Sequence, residues 1–140
     1  KNMLKKNYTQ KKSKIIINSA GLHAKKGLKP HEIIQHAAKL NNFSLNNYRS
    51  KIFSYYSGKK SNVILTMEKW QKDEIINKFP VFKNKVYLIT EFLWHGDDYE
   101  IKDITDPTGS NTDQYKLFLD TVHNEADRIL HELSRKGIIL

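Results

Sequence analysis

The sequence predicts an α/β protein in which helices pack against a parallel sheet. Short runs of β-branched residues alternate along the chain with segments whose apolar residues recur at helical spacing. Chains with this alternation build parallel sheets that helices cover. A length of 140 residues, of which 39% are hydrophobic, suits one folded core. We therefore expect a single soluble domain over residues 1–140.

The first half of the chain predicts two strands separated by a helix. Residues 14–18 contain three consecutive isoleucines, which is typical of a buried strand. Pro30 suits the first turn of a helix whose apolar face continues to Leu40. Ser44 can cap a short segment that Ser57 and Gly58 break, and a second strand follows over residues 62–66.

The second half predicts two further helices and a third strand. A charged helix over residues 68–78 is stopped by Pro80, and residues 85–89 form the strand. Residues 93–111 are rich in Gly and Asp and predict an irregular region. The final helix covers residues 112–136, and Gly137 closes it. Ligands of parallel sheets bind beyond the carboxyl ends of the strands, so we expect functional residues in segments 19–29, 66–68 and around Asp106.

Charge and composition exclude several functions. The net charge is +9, but the lysines are scattered and accompany no nucleic-acid motif, so we expect attraction for anionic ligands and no nucleic-acid partner. The absence of cysteine excludes a disulfide scaffold, a thiolate zinc site and a thiol nucleophile within these residues. The histidines show no ligand spacing, which predicts no metal, and no apolar run is long enough to span a membrane.

The chain opens on a charged and apolar helical pattern with no capping residue before it. We therefore expect these 140 residues to be part of a longer protein.

Five segments resemble, in order and spacing, the bacterial low-molecular-weight protein tyrosine phosphatases. They are residues 19–24, 45–51, 63–68, 85–92 and the Asp-Pro-x-Gly of 106–109.

This resemblance implies a three-layer sandwich with a four-stranded parallel sheet, of which the first strand is absent here. It implies a cytoplasmic phosphomonoester hydrolase that acts on phosphorylated proteins through a cysteinyl-phosphate intermediate, with no cofactor or metal and no membrane partner. The family's Cys-x5-Arg phosphate loop does not occur in the sequence. The parent protein is therefore expected to be an enzyme, and these residues alone are expected to be inactive.

The resemblance also assigns roles to individual residues. Asp106 matches the general acid and base, while Asp103 is the competing candidate and an Asp-Pro surface turn is the plain structural alternative. Ser19 matches a serine that supports the phosphate loop, although a strand-end serine bonded to its own backbone explains it equally.

The substrate entrance departs from the family pattern at four positions. Lys25 and Lys26 stand where many relatives carry an aromatic wall, which favours an acidic peptide or an extra phosphate. Tyr48 replaces a histidine, and Thr108 replaces an aromatic residue. The sequence is compatible with either phosphotyrosine or phosphoarginine as the phosphorylated residue of the substrate.

Other interpretations remain. One is a relative that has lost its nucleophile and binds anions or phosphopeptides. An arsenate reductase shares the scaffold but requires several cysteines. The absent strand would lie between residues 15–17 and 63–65 and leave two unpaired edges, so a second polypeptide is predicted to fill the gap, or else the chain alone is marginally folded.

Overall fold

The computed structural model describes residues 15–40, 44–96, 101–107 and 109–139. It is an α/β structure that contains helices and a parallel pair of strands, as the sequence predicts. The chain divides into two compact units, one containing the described residues up to Ser54 and the other Tyr55–Ile139.

The described part of the first unit contains one helix and two extended segments. Helix α1, Glu32–Leu40, follows Pro30, whose carbonyl oxygen accepts a hydrogen bond from the Gln35 side chain at 2.8 Å. The extended segments meet at a parallel bridge between Gly21 and Ile52. Gly21 donates its N–H to the carbonyl of Lys51 and accepts one from Phe53, both at 2.9 Å.

The strand predicted over residues 14–18 is wrong for the residues that the structure describes. Residues 15–20 have no regular secondary structure, and Ile16 is 85% exposed. A β-branched run favours an extended backbone, but a strand also needs a partner for its backbone groups. The parallel pairing begins only at Gly21.

The second unit supplies most of the regular structure. Its elements are α2 (Tyr55–Lys60), β1 (Ile64–Thr66), α3 (Lys69–Lys78), a 3₁₀ helix (Pro80–Lys85), β2 (Val86–Leu88) and α4 (Thr112–Arg135). Strand β1 pairs in parallel with β2, with Ile64 opposite Val86 and Thr66 opposite Leu88. These four side chains are buried, so one face of this short sheet belongs to the core.

Capping residues set where the long helices begin. Glu68 is the N-cap of α3, and the Gln71 side chain accepts the backbone N–H of Met67 at 3.0 Å. Asn111 is the N-cap of α4, and its side chain accepts the N–H of Gln114 at 3.0 Å. These bonds satisfy amides that have no partner within the helix. The predicted helices over residues 68–78 and 112–136 are confirmed.

The core of the second unit lies between the ends of the strands and α4. Ile89, Ile104 and Ile129 are buried together, and five partly buried apolar side chains pack against them: Met67, Phe92, Phe118, Val122 and Leu133. Residues 101–107, which form no regular element, therefore take part in the core through Ile104.

Arg128, on α4, binds the segment that follows β2, residues 89–92. Its guanidinium donates to the carbonyl oxygens of Ile89 and Phe92, both at 2.9 Å, and to a carboxylate oxygen of Glu125 at 2.8 Å. The same group lies 5.5 Å from the centre of the Trp94 ring. Glu125 is only 9% exposed, so Arg128 both compensates a buried charge and fixes the segment after β2.

Ser57 and Gly58 were predicted to end the short segment before β1. This prediction is wrong, because both residues lie inside α2. Gly58 is buried, and a Cβ atom at this position would lie 2.3 Å from Cε2 of Phe82. The position needs glycine because the 3₁₀ helix approaches α2 so closely. Tertiary contact therefore outweighs the low helix propensity of glycine.

We expect Gly58→Ala to destabilise the protein by about 1–3 kcal/mol, because the added methyl group must displace the Phe82 ring. Helix propensity alone predicts the opposite sign, a gain of about 1 kcal/mol. The measurement is urea denaturation of a double-mutant cycle with Phe82→Leu, in which the cost of Gly58→Ala should fall sharply. An increase in stability for Gly58→Ala in the wild-type background would contradict the expectation.

Candidate active site

The loop over residues 101–107 is fastened across the carboxyl end of the two-stranded sheet. The Ile104 N–H donates to the carbonyl of Met67, directly after β1, at 2.8 Å. The Thr90 hydroxyl, two residues after β2, donates to the carbonyl of Lys102 at 2.9 Å. The loop therefore follows the edge at which parallel sheets bind their ligands.

Asp106 follows these anchors on the same loop. It is exposed, whereas the neighbouring Pro107 is buried. The carbonyl of Pro107 accepts the N–H of Ser110 at 2.9 Å, and Gly109 has φ of 85°, a left-handed conformation that suits glycine. Asp106 therefore lies between two backbone hydrogen bonds. The Ile104 N–H bond precedes it, and the bond from Ser110 to Pro107 follows it.

Asp103 has a different environment. Its Oδ1 accepts the backbone N–H of Lys69, the first residue of α3, at 2.7 Å. A carboxylate at a helix N-terminus satisfies an amide without an intrahelical partner and interacts favourably with the helix dipole. This bond gives Asp103 a structural function and ties the loop to α3.

A cleft of about 480 Å³ adjoins the same edge. The Lys72 ammonium contacts the Glu91 carboxylate, whose Oε1 also accepts the N–H of Leu88 at 2.9 Å. Charged groups of both signs and two apolar side chains surround the cleft, which is lined by Lys69, Lys72, Asp73, Leu88, Glu91, Ile101 and Asp103. Lys72 and Glu91 were not among the predicted site residues, since their pairing joins a helix to a turn 19 residues further along the chain.

Two residues predicted for the site meet in the first unit. The Ser19 hydroxyl oxygen lies 3.2 Å from the Tyr48 hydroxyl oxygen, within hydrogen-bonding distance. Both side chains are exposed. The structure therefore gives Ser19 a side-chain partner 29 residues away in the sequence.

Lys25 and Lys26 lie in a loop that Ser50 organises. Both lysines are exposed. The Ser50 hydroxyl donates to the carbonyl of Lys25 and accepts the N–H of Leu28, while the Ser50 carbonyl accepts the N–H of Gly27. Gly27 has φ of 87°, which permits the tight turn directly after Lys26. No local sequence pattern marks Ser50, because its role depends on contacts 22 to 25 residues away.

The remaining predicted residue, Thr108, lies outside the described residues. Asp106 belongs to the second unit, whereas the other four predicted residues, Ser19, Lys25, Lys26 and Tyr48, belong to the first.

The decisive comparison is with protein-family models. The model for low molecular weight phosphotyrosine protein phosphatases matches residues 1–138. The chain belongs to this family. Its sequence nevertheless contains no cysteine, so the phosphatase family's Cys-x5-Arg loop is missing from these residues.

Solved structures show the same phosphatase fold. The YwlE arginine phosphatase from Geobacillus stearothermophilus matches with a TM-score of 0.77 and 24% identity, over 86% of this chain and 75% of that one. The tyrosine phosphatase Wzb from Escherichia coli K30 matches with a TM-score of 0.74 and 23% identity, over 84% and 78% of the two chains. A low molecular weight protein tyrosine phosphatase from T. tengcongensis gives 0.74 and 22%, over 83% and 76%. No curated protein matches the sequence.

The part of this family member that the structure describes has neither a membrane-spanning helix nor a metal-binding cluster. None of its helices there is both long and apolar enough to cross a bilayer. Within the same ranges, no group of three or more His, Asp or Glu side chains is arranged to hold a metal ion.

Proposed function

We propose that this chain forms the body of a cytoplasmic protein tyrosine phosphatase as one domain over residues 1–140. Family membership supports phosphate-ester hydrolysis, and the loop of residues 101–107 carries the proposal because Asp106 follows Ile104, whose N–H is bonded to the Met67 carbonyl directly after β1. The reaction also requires a thiol nucleophile and a phosphate-binding arginine loop, which must come from outside these residues because the sequence lacks cysteine.

Asp106 acts in both steps of the proposed reaction. In the first, the thiolate attacks phosphorus, the bond to the leaving oxygen breaks, and protonated Asp106 donates its proton to that oxygen. In the second, the Asp106 carboxylate removes a proton from water as the water oxygen attacks phosphorus and the sulfur–phosphorus bond breaks. An exposed carboxyl group on an anchored backbone suits both steps, since it reaches substrate and solvent.

The first unit contributes to phosphate and substrate binding in this proposal. The Ser19 hydroxyl, oriented by Tyr48, donates to the backbone of the phosphate loop. Lys25 and Lys26, on the loop that Ser50 holds, attract the negative charge of a phosphorylated protein and, with Tyr48 and Thr108, border the entrance. Relatives of this fold include both tyrosine and arginine phosphatases, so the class of phosphorylated residue is part of the test.

The test compares two proteins in a continuous assay with an aryl phosphate. We expect no turnover from the 140-residue chain. An extended chain that adds the residues encoded upstream is expected to hydrolyse the ester if they contain Cys-x5-Arg, and a Cys→Ser variant should abolish this activity. Turnover by the 140 residues alone would refute the thiol mechanism. Parallel assays with phosphotyrosine and phosphoarginine peptides identify the substrate class.

A binding module is the second candidate function, favoured by the absence of cysteine together with the net charge of +9. In that case the chain binds phosphopeptides without hydrolysing them. Isothermal titration with a phosphopeptide and its unphosphorylated counterpart separates the two functions. Phosphate-dependent binding, together with an upstream sequence that lacks Cys-x5-Arg, would support the module over the enzyme.

A further inference from the structure

A lysine–tyrosine surface lies at the end of the second unit opposite the Asp106 loop. It consists of Tyr55, Tyr56, Lys59 and Lys60 of α2 with Val81 and Lys83 of the 3₁₀ helix. Helix α2 precedes β1 and the 3₁₀ helix directly precedes β2, so this surface adjoins the amino ends of the strands. It is therefore separate from the candidate active site within this unit.

Aromatic contacts hold the two short helices together. The Tyr55 ring stacks on Phe82 with 5.4 Å between ring centres, and Phe79 packs against both rings at 5.9 and 5.6 Å. The Lys85 ammonium donates to the carbonyl oxygens of Gly58 and Ser61 at 2.8 and 2.7 Å. These contacts join α2 to the 3₁₀ helix beneath the surface.

The exposed groups of this surface are cationic or apolar. Tyr55, Tyr56 and Val81 are 49%, 65% and 70% exposed, and Lys59, Lys60 and Lys83 are exposed as well. Neither residues 55–67 nor residues 75–90 contain an Asp or Glu. A surface that combines lysines with exposed apolar area, without carboxylates in its own segments, is complementary to an acidic ligand that carries an apolar group.

One face of each tyrosine ring is already in contact with another side chain. The Lys60 ammonium lies 4.3 Å from the centre of the Tyr56 ring, so it covers one face of that ring. One face of Tyr55 is covered by Phe82. The tyrosine hydroxyls and the lysine ammonium groups can donate hydrogen bonds to carboxylates, and no nucleic-acid motif accompanies these lysines.

We propose that the lysine–tyrosine surface docks an acidic, flexible segment of a partner protein, with Asp or Glu side chains on the lysines and an apolar side chain against Val81. The proposal does not depend on the chemistry at Asp106. If the protein hydrolyses phosphate esters, this docking recruits substrate proteins through a segment distant from their phosphorylated residue.

The test measures the fluorescence anisotropy of a labelled peptide of alternating Glu and Ser around one Leu. We expect the triple variant Lys59→Gln, Lys60→Gln, Lys83→Gln to weaken binding about tenfold, as three exposed ion pairs are lost. The matched control, Lys39→Gln, Lys116→Gln, Lys136→Gln, removes the same charge from exposed sites elsewhere and should change binding less than about twofold. Circular dichroism verifies that both variants keep the fold.

Equal weakening by the two triple variants would overturn the proposal, because binding would then depend on net charge alone. It would also be overturned if single-stranded oligo(dT) of equal charge bound as tightly as the peptide. Carbodiimide coupling of the peptide to the wild-type chain needs no variant. It should join peptide carboxylates to Lys59, Lys60 or Lys83, and coupling only at other lysines would contradict the assignment.

Discussion

Replacing Arg128 by methionine is expected to lower the free energy of unfolding by about 3–5 kcal/mol. The change removes the guanidinium that donates to the buried carboxylate of Glu125 and to the carbonyls of Ile89 and Phe92. Methionine preserves much of the aliphatic volume, so the loss reports on hydrogen bonds and charge more than on packing. Urea denaturation followed by circular dichroism measures it.

Arg135 provides a matched control on the same helix. It also contacts a glutamate three residues before it, Glu132, but its side chain is 56% exposed, compared with 19% for Arg128. Arg135→Met should therefore cost much less stability than Arg128→Met, because water screens an exposed ion pair. The double change Arg128→Met with Glu125→Leu should recover part of the stability by replacing the buried carboxylate with an apolar side chain. Equal losses for the two arginine variants would contradict the assigned role of Arg128.

Replacing Asp106 by asparagine is expected to lower kcat by about a hundredfold to ten-thousandfold in an active, extended chain that contains the nucleophile. Asparagine keeps the size of the side chain but cannot donate a proton to the leaving oxygen. The loss should increase with the pKa of the leaving phenol, because a poor leaving group depends more on protonation. The measurement is kcat for a series of aryl phosphates.

Asp103→Asn is the matched control for this experiment. The structure gives Asp103 the Lys69 amide as its partner, so this variant should lower stability and leave the dependence on the leaving group unchanged. A larger loss of kcat in Asp103→Asn than in Asp106→Asn, with the leaving-group dependence transferred to Asp103, would assign the proton donor to Asp103 instead.

The elements with strong local signals were predictable. The apolar period of α4 and the Pro80 stop after α3 place these helices within one or two residues of their observed bounds, because capping and periodicity act within a few residues. Strands β1 and β2 lie within their predicted segments, but each is shorter.

Features that depend on contacts between residues far apart in the sequence could not be predicted from local sequence patterns. Residues 15–17 have strand composition, but the described structure gives them no regular pairing. Glycine is typical of the end of a helix or strand. Gly58 nevertheless lies within a helix, because the nearby Phe82 ring leaves no room for a larger residue. Ser50 and Arg128 organise segments more than 20 residues away, and no local pattern marks such partners. The same reasoning applies to the candidate site, where the sequence indicated Asp106 by its Asp-Pro-x-Gly motif and not by its anchors.

The hydrogen bonds that hold residues 101–107 have a consequence for substitutions in this loop. They use the backbone of Lys102 and Ile104 together with side chains of Thr90 and Asp103, and none of these four bonding groups belongs to residue 106. Exchange of the side chain at position 106 would leave these four groups in place, whereas exchange of Thr90 or Asp103 would remove one of the bonds that direct the loop.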